Sequence, residues 1–131
     1  MCVLRIFSGT DSFKSFALGT KLEVVSVHDK DEIRKIGKKI PMPQYQISLA
    51  VSDRDWDDFP SQVKDAIVFL SENFDELAEM QRNHKVDDAY LDFPIESRLD
   101  VDIVNQNDHL PRQLIALAGK LNFGIEISIY G

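Results

Sequence analysis

The chain has a single cysteine, Cys2, in 131 residues, so no disulfide can close within it and no Cys-based metal site can be built inside one copy. Long apolar runs are missing. None is longer than Ala66 to Leu70, against the ~18 residues that a membrane-spanning helix needs, and Arg5 interrupts the only apolar stretch near the N-terminus. Basic residues are in deficit, with 15 Lys and Arg against 22 Asp and Glu, for a net charge of −7. Clustered Lys and Arg are what neutralise phosphates, so this balance disfavours nucleic acid, and it disfavours anionic membrane surfaces for the same reason. The 6 glycines are scattered and form no Gly-x-Gly-x-x-Gly. Gly37-Lys38 could close a phosphate loop only with a glycine where Glu32 stands. There is no Gly-x-Ser-x-Gly elbow, and Cys2 has no sequence-evident His partner.

What is present is a globular composition, 44% hydrophobic and 28% charged, in a chain long enough to bury about two-thirds of its unfolded surface. The expectation is one domain over residues 1–131, cytoplasmic and reduced, without a cofactor. A negative field of this kind serves solubility, and it attracts a basic protein partner mainly by raising the association rate.

Along the chain, Cys2 to Phe7 reads as a strand, followed by cap residues Ser8 to Asp11 and a short helix with Phe13, Phe16 and Ala17 on one face, stopped by Gly19 in a left-handed conformation. Leu22 to Val27 is a second strand. Residues 29–40 are charged and end in Pro41-Met42-Pro43, which predicts a mobile, exposed excursion. Tyr45, Ile47, Leu49 and Val51 alternate with polar or small residues, the period of a strand with one covered face. Val63, Ile67, Leu70, Phe74 and Leu77 then predict one helix from about Ser61 to Asn83, capped by Asp58 or Ser61. Ala89 to Ile95 and Leu99 to Val104 follow as strands, with Pro94 marking an edge or an interruption. Asp108 caps a last helix carrying Leu110, Leu114, Leu117, Ala118 and Leu121, which Asn122 and Gly124 stop. Ile125, Ile127 and Ile129 alternate in a terminal strand expected to insert into the sheet. The order predicts an α+β domain with a mixed or antiparallel sheet and helices on one face: a ferredoxin-like βαββαβ core plus a C-terminal helix and strand.

The charges are polarised along the chain. Residues 30–39 hold five bases (Lys30, Arg34, Lys35, Lys38, Lys39) against two acids, whereas 86–108 hold seven acids against Arg98 alone. Asp53, Asp55 and Asp57 have the start of a calcium loop, but Asp58 stands where its glycine turn belongs and Lys64 where its bidentate Glu belongs. The segment reads instead as a solvated loop whose acids favour the following helix N-terminus. Trp56 among those acids is either the loop's anchor into the core or an exposed contact residue, the type that dominates interface energetics. Asp100 and Asp102, on the outer face of their strand, read as an acidic recognition face or an edge guard rather than a glycosidase pair. His28, His84 and His109 have no second His or Cys at helical spacing, which argues against zinc.

The runs Leu91-Asp92-Phe93-Pro94-Ile95, Gln106 to Pro111 and Leu117 to Tyr130 resemble a family of small uncharacterised bacterial α/β proteins, in which a helix ending in a Leu-x-x-Gly-type turn leads into a closing Ile/Leu-x-Ile/Leu-Tyr strand. The resemblance implies one bacterial domain and no catalytic residues, with a looser likeness to immunity-type proteins. The expected function is therefore a non-catalytic binding protein that presents Asp53, Asp55, Trp56, Asp57, Asp92, Asp100 and Asp102 to a basic partner. Two alternatives stand beside it. One is a small hydrolase-like enzyme using His28, Asp29 and Asp92 at strand ends; the other is a homodimeric structural or ligand-sensing module built through the last strand.

Overall fold

Along the first strand, β1 (Cys2–Ser8), Cys2, Leu4, Ile6 and Ser8 are fully buried while Arg5 and Phe7 on the other face are only partly covered. That alternation orients the whole sheet. The computed structural model describes residues 1–34 and 36–131. In it β1 pairs antiparallel with β3 (Tyr45–Ser52) on one side and β4 (Asp88–Glu96) on the other. β2 (Val24–His28) adds antiparallel to β3, and β5 (Gly124–Tyr130) adds parallel to β4, for the order β2-β3-β1-β4-β5. The fold is α+β with a five-stranded mixed sheet and, among the described residues, four helices.

Register puts Leu4 opposite Leu49 and Leu91, and Ile6 opposite Ile47 and Ala89, so the apolar rows coincide across three strands. Phe93 and Ile95 continue the row beside Ile127 and Ile129 of β5. Against this face lie α2 (Phe59–Glu72), α3 (Phe74–Asn83) and α4 (Arg112–Lys120), which contribute Val63, Ala66, Leu70, Leu77, Met80, Leu114 and Ala118 to the same core. The short α1 (Lys14–Gly19) follows the buried Phe13 and packs Phe16 and Ala17 against it. Burial keeps the Cys2 thiol protonated, its pKa pushed far above the ordinary range, so it behaves as a small core hydrophobe.

Several expectations are corrected. The long helix is two: Asn73 leaves helical geometry, and its side-chain amide donates to the Phe69 carbonyl at 2.9 Å, competing with the backbone ladder. Asp58 does cap α2, accepting from the Ser61 N–H, but the helix begins earlier, at Phe59. Gly19 lies inside α1 and Thr20 ends it in extended geometry, whereas Asn122 (φ 58°) takes the left-handed stop after α4. Asp108 does not cap α4, which starts after Pro111; its carboxylate holds Arg98 and Gln106 instead. The terminal strand β5 does join the sheet, as expected, through a parallel ladder with β4 at its outer edge.

Leu99 to Val104 is not a strand. β4 has no free edge to offer it, because β5 pairs one side and, beyond the end of β1, the other side is taken by Gln62 and the Trp56 carbonyl. Pro94 sits where that second side has lost its strand: the pairing with β1 stops at Asp92, so the N–H that proline lacks has no ladder partner to miss.

Candidate interaction site

Gln62 is the one polar side chain on the buried stripe of α2, between Phe59 and Ala66. Its amide nitrogen donates to the Asp55 carbonyl (3.0 Å) and to the Pro94 carbonyl (2.9 Å), tying the loop between β3 and α2 to the end of β4. The Glu96 N–H completes the attachment by donating to the Trp56 carbonyl at 3.1 Å. Trp56 is thereby carried to the last residues of β5. It does not enter the core; its indole stacks on Tyr130, ring centroids 4.5 Å and planes 19° apart, and stays 45% exposed.

The next segment extends this corner. The Ser97 N–H donates to the Tyr130 carbonyl, and Gln106 staples the base of the loop by accepting from the Arg98 N–H (2.8 Å) and donating to Asp108. Asp100 then closes a tight turn: its Oδ1 accepts the N–H groups of Asp102 and Ile103 at 2.7 Å each. That turn raises Val101 to 94% exposure, while Val104 stands 83% exposed and Leu99 and Ile129 are also largely uncovered. One end of the sheet thus carries two exposed apolar groups, Trp56 on Tyr130 and, around Ile129, Leu99 and Val104.

The acids lie around it. Asp53, Asp55 and Asp57 are exposed on either side of Trp56, and Glu96, Asp100 and Asp102 are exposed in and beside the second loop. The two bases of the corner are paired to carboxylates, Arg54 to Asp65 at 3.6 Å and Arg98 to Asp108 at 2.8 Å. Partial burial raises the Asp108 pKa, yet the bonds from Gln106 and Arg98 outweigh it and the carboxyl ends below its ordinary value.

Asp92 is elsewhere. It sits on the helix-free face of the sheet with its side chain 14% exposed, accepting from Arg5 Nε (3.3 Å) and from the Ser128 hydroxyl (2.8 Å), so both oxygens tie β1, β4 and β5 together. Arg5 also reaches Ser48 on β3, and Phe7 stacks on Tyr90 beside it. Burial, then the nearby Glu126, raises the Tyr90 phenol above its ordinary pKa.

His28, Asp29 and Asp92 are not brought together. β3 and β1 lie between β2 and β4, which at ~4.8 Å per strand sets His28 and Asp92 roughly 14 Å apart across the sheet, and Asp92 lies farther along β4 than Asp88, the position in register with His28. His28 Nδ1 instead faces Glu32 at 3.3 Å, and Asp29 is held by Ser12 and by Lys14. Lys14 also bonds Glu32, whose pKa falls to about 2 through that ammonium first, aided by the Asp29 backbone and the His28 ring. Among the described residues no group of three or more His, Cys, Asp or Glu side chains is placed to hold a metal ion. A separate groove of about 560 Å³ runs between α2 and residues 98–111, floored by Phe59, Val63 and Ile67.

Sequence reasoning had named Trp56 and its acids but missed Tyr130, Gln62 and the turn-closing role of Asp100. Gln62 left a signal, a polar residue on an apolar helical stripe; Tyr130 left none, since its partner lies over seventy residues away along the chain. No family model, no curated protein and no solved structure matches this chain.

Proposed function

We propose that this chain is a non-catalytic binding protein that engages a basic protein partner through the Trp56–Tyr130 corner. The observation that carries the reading is the half-exposed indole-on-phenol stack beside Asp55 and Asp57, which among the described residues have no ion-pair partner, while Arg54 and Arg98 are paired to Asp65 and Asp108. Binding energy concentrates in aromatic anchors of this kind, and surrounding charge steers the partner and sets specificity. A toxin of basic character is one partner with that chemistry, as the likeness to immunity-type proteins implies.

The finer fold assignment belongs to the same proposal. β1 and β2 both run antiparallel to β3, which lies between them, and β3 and β4 both run antiparallel to β1, which lies between them. Two split βαβ units interleaved in this way support a ferredoxin-like core extended by α4 and β5.

The test is capture from lysate on three immobilised proteins, the native chain, Trp56→Ala and Asp55→Lys/Asp57→Lys, at low and moderate salt, quantified by mass spectrometry. Asp100 is left unchanged because its carboxylate holds its own turn. The expected result is a basic protein retained at low salt by the native chain and lost by both variants. Equal retention on all three would overturn the reading.

A further inference from the structure

The corner that binds has a counterpart on the same chain. The connection from β2 to β3 is closed at its base by an Ile33–Pro41 bridge, by the Asp31 N–H donating to the Met42 carbonyl and by the Met42 N–H donating to the Glu32 carbonyl. Met42 is buried there, while Ile33, Ile36 (89% exposed) and Ile40 face outward. Arg34, Lys38 and Lys39 stand exposed among them, and the segment from 33 to 40 contains no acid. Among the described residues none of these three bases has a carboxylate partner. The nearest acid of the base, Glu32, is committed to Lys14 and His28.

Topology places this basic, isoleucine-bearing tip as far as the sheet allows from the acidic corner. β2 and β5 are the two outer strands. His28, Gln46, Phe7 and Asp88 share one end of the sheet by register, whereas Glu96 and Tyr130 close the other. The two surfaces therefore occupy diagonally opposite corners, and one molecule cannot bring them together.

We propose that the partner of the Trp56 corner is a second copy of this chain, which sets its Ile33, Ile36 and Ile40 side chains against Trp56 with Arg34, Lys38 and Lys39 facing Asp55, Asp57 and Asp102. This rests on the binding reading above for the surface and departs from it in the occupant, which is a basic segment of a chain that as a whole carries −7 and not a protein basic overall. Complementarity holds in both currencies of an interface, apolar centre and opposite charge at the rim. The contact is head-to-tail, because the two surfaces differ, so it either closes by rotation or extends into a chain. An eight-residue tip covers less than the ~800 Å² per partner of a standard interface, so the association is weak, concentration-dependent and salt-sensitive.

The experiment is sedimentation velocity of the native chain, of Lys38→Glu/Lys39→Glu, of Asp55→Lys/Asp57→Lys and of an equimolar mixture of the two variants, over a range of concentration at low and high salt. Far-UV circular dichroism establishes that each variant is folded. The expected result is a native mass that rises with concentration at low salt and falls back with added salt, monomeric variants when alone, and restored association in the mixture, where each reversed surface meets its complement. A native chain that is monomeric throughout overturns the proposal, as does association unchanged in both variants, which pairing through the outer edge of β5 would give. If the native chain is monomeric while Trp56-dependent capture of a foreign basic protein persists, self-association falls and the binding function stands. If both fail, both fall.

Discussion

The indole of Trp56 lies over the phenol of Tyr130, centroids 4.5 Å apart, joining the loop before α2 to the final strand. Stacked aromatic pairs contribute ~0.5–1.5 kcal/mol beyond their area burial. Trp56→Ala and Tyr130→Ala should therefore each lower stability by about 1 kcal/mol in urea denaturation, and the double variant should lose less than the sum. As the chain has one tryptophan, Tyr130→Ala should also increase acrylamide quenching of its fluorescence. Additive losses with unchanged quenching would remove the stack as a determinant of this corner.

Gln62 supports the same corner from beneath. Replacing it with Leu leaves the Pro94 carbonyl without its donor and the Asp55 carbonyl with the Asp58 N–H alone, and an unpaired buried group costs ~1–3 kcal/mol. The expected loss is about 1–3 kcal/mol, from the Pro94 carbonyl. The Glu96 amide, which donates to the Trp56 carbonyl, should lose hydrogen-exchange protection more than amides of β1 do. Uniform loss across the sheet would mean that Gln62 serves the core at large and not the loop.

The acids named from the sequence divide into two kinds. Asp92→Ala removes the acceptor of Arg5 and Ser128 and should cost about 1–3 kcal/mol, while Asp55→Ala and Asp57→Ala, on the exposed loop, should stay within about 0.5 kcal/mol. Binding should reverse the order, with Asp55 and Asp57 variants weakened and Asp92 variants affected only through folding. Parallel thermal melts and partner titrations measure both.

The attachment of the β2–β3 connection depends on pH. Glu32 has its carboxyl pKa lowered from 4.5 to about 2, chiefly by Lys14. A lowered carboxylate pKa in the folded state gives stability that is fully present above pH 4.5 and is lost as pH falls toward 2. The Lys14 ammonium, raised above 10.5 chiefly by Glu32, gives stability that is present below pH 10.5 and lost as pH rises through its folded value. Between these limits the pair holds. A carbon-detected NMR titration should find the Glu32 midpoint near 2 and see it move up toward 4.5 in Lys14→Ala; a native midpoint at 4.5 would dissolve the pair.

Several elements were legible because their physics is local. The alternation of Tyr45, Ile47, Leu49 and Val51 needs only one covered face, and β3 spans them all. The stripe from Val63 to Leu77 likewise marks the buried side of α2 and α3, although the break at Asn73 arises from a side-chain bond that periodicity does not register. Asn122 ended its helix as expected, since a short polar side chain tolerates the left-handed conformation.

The alternation of Leu99, Val101 and Ile103 was just as regular, and it became an exposed turn. A strand needs a neighbour with unpaired backbone groups, and β4 had none left after β5, Gln62 and Trp56 had taken them. The sequence by itself determined which residues face inward along each element and how charge divides between residues 30–39 and 86–108, because both follow from residue type and short spacing. Only the tertiary structure decided that Trp56 meets Tyr130, that Asp92 is spent on Arg5 and Ser128, and that the basic and acidic segments stand at opposite corners of the sheet. Those are relations between distant positions, set by strand order and register, and no local pattern encodes them.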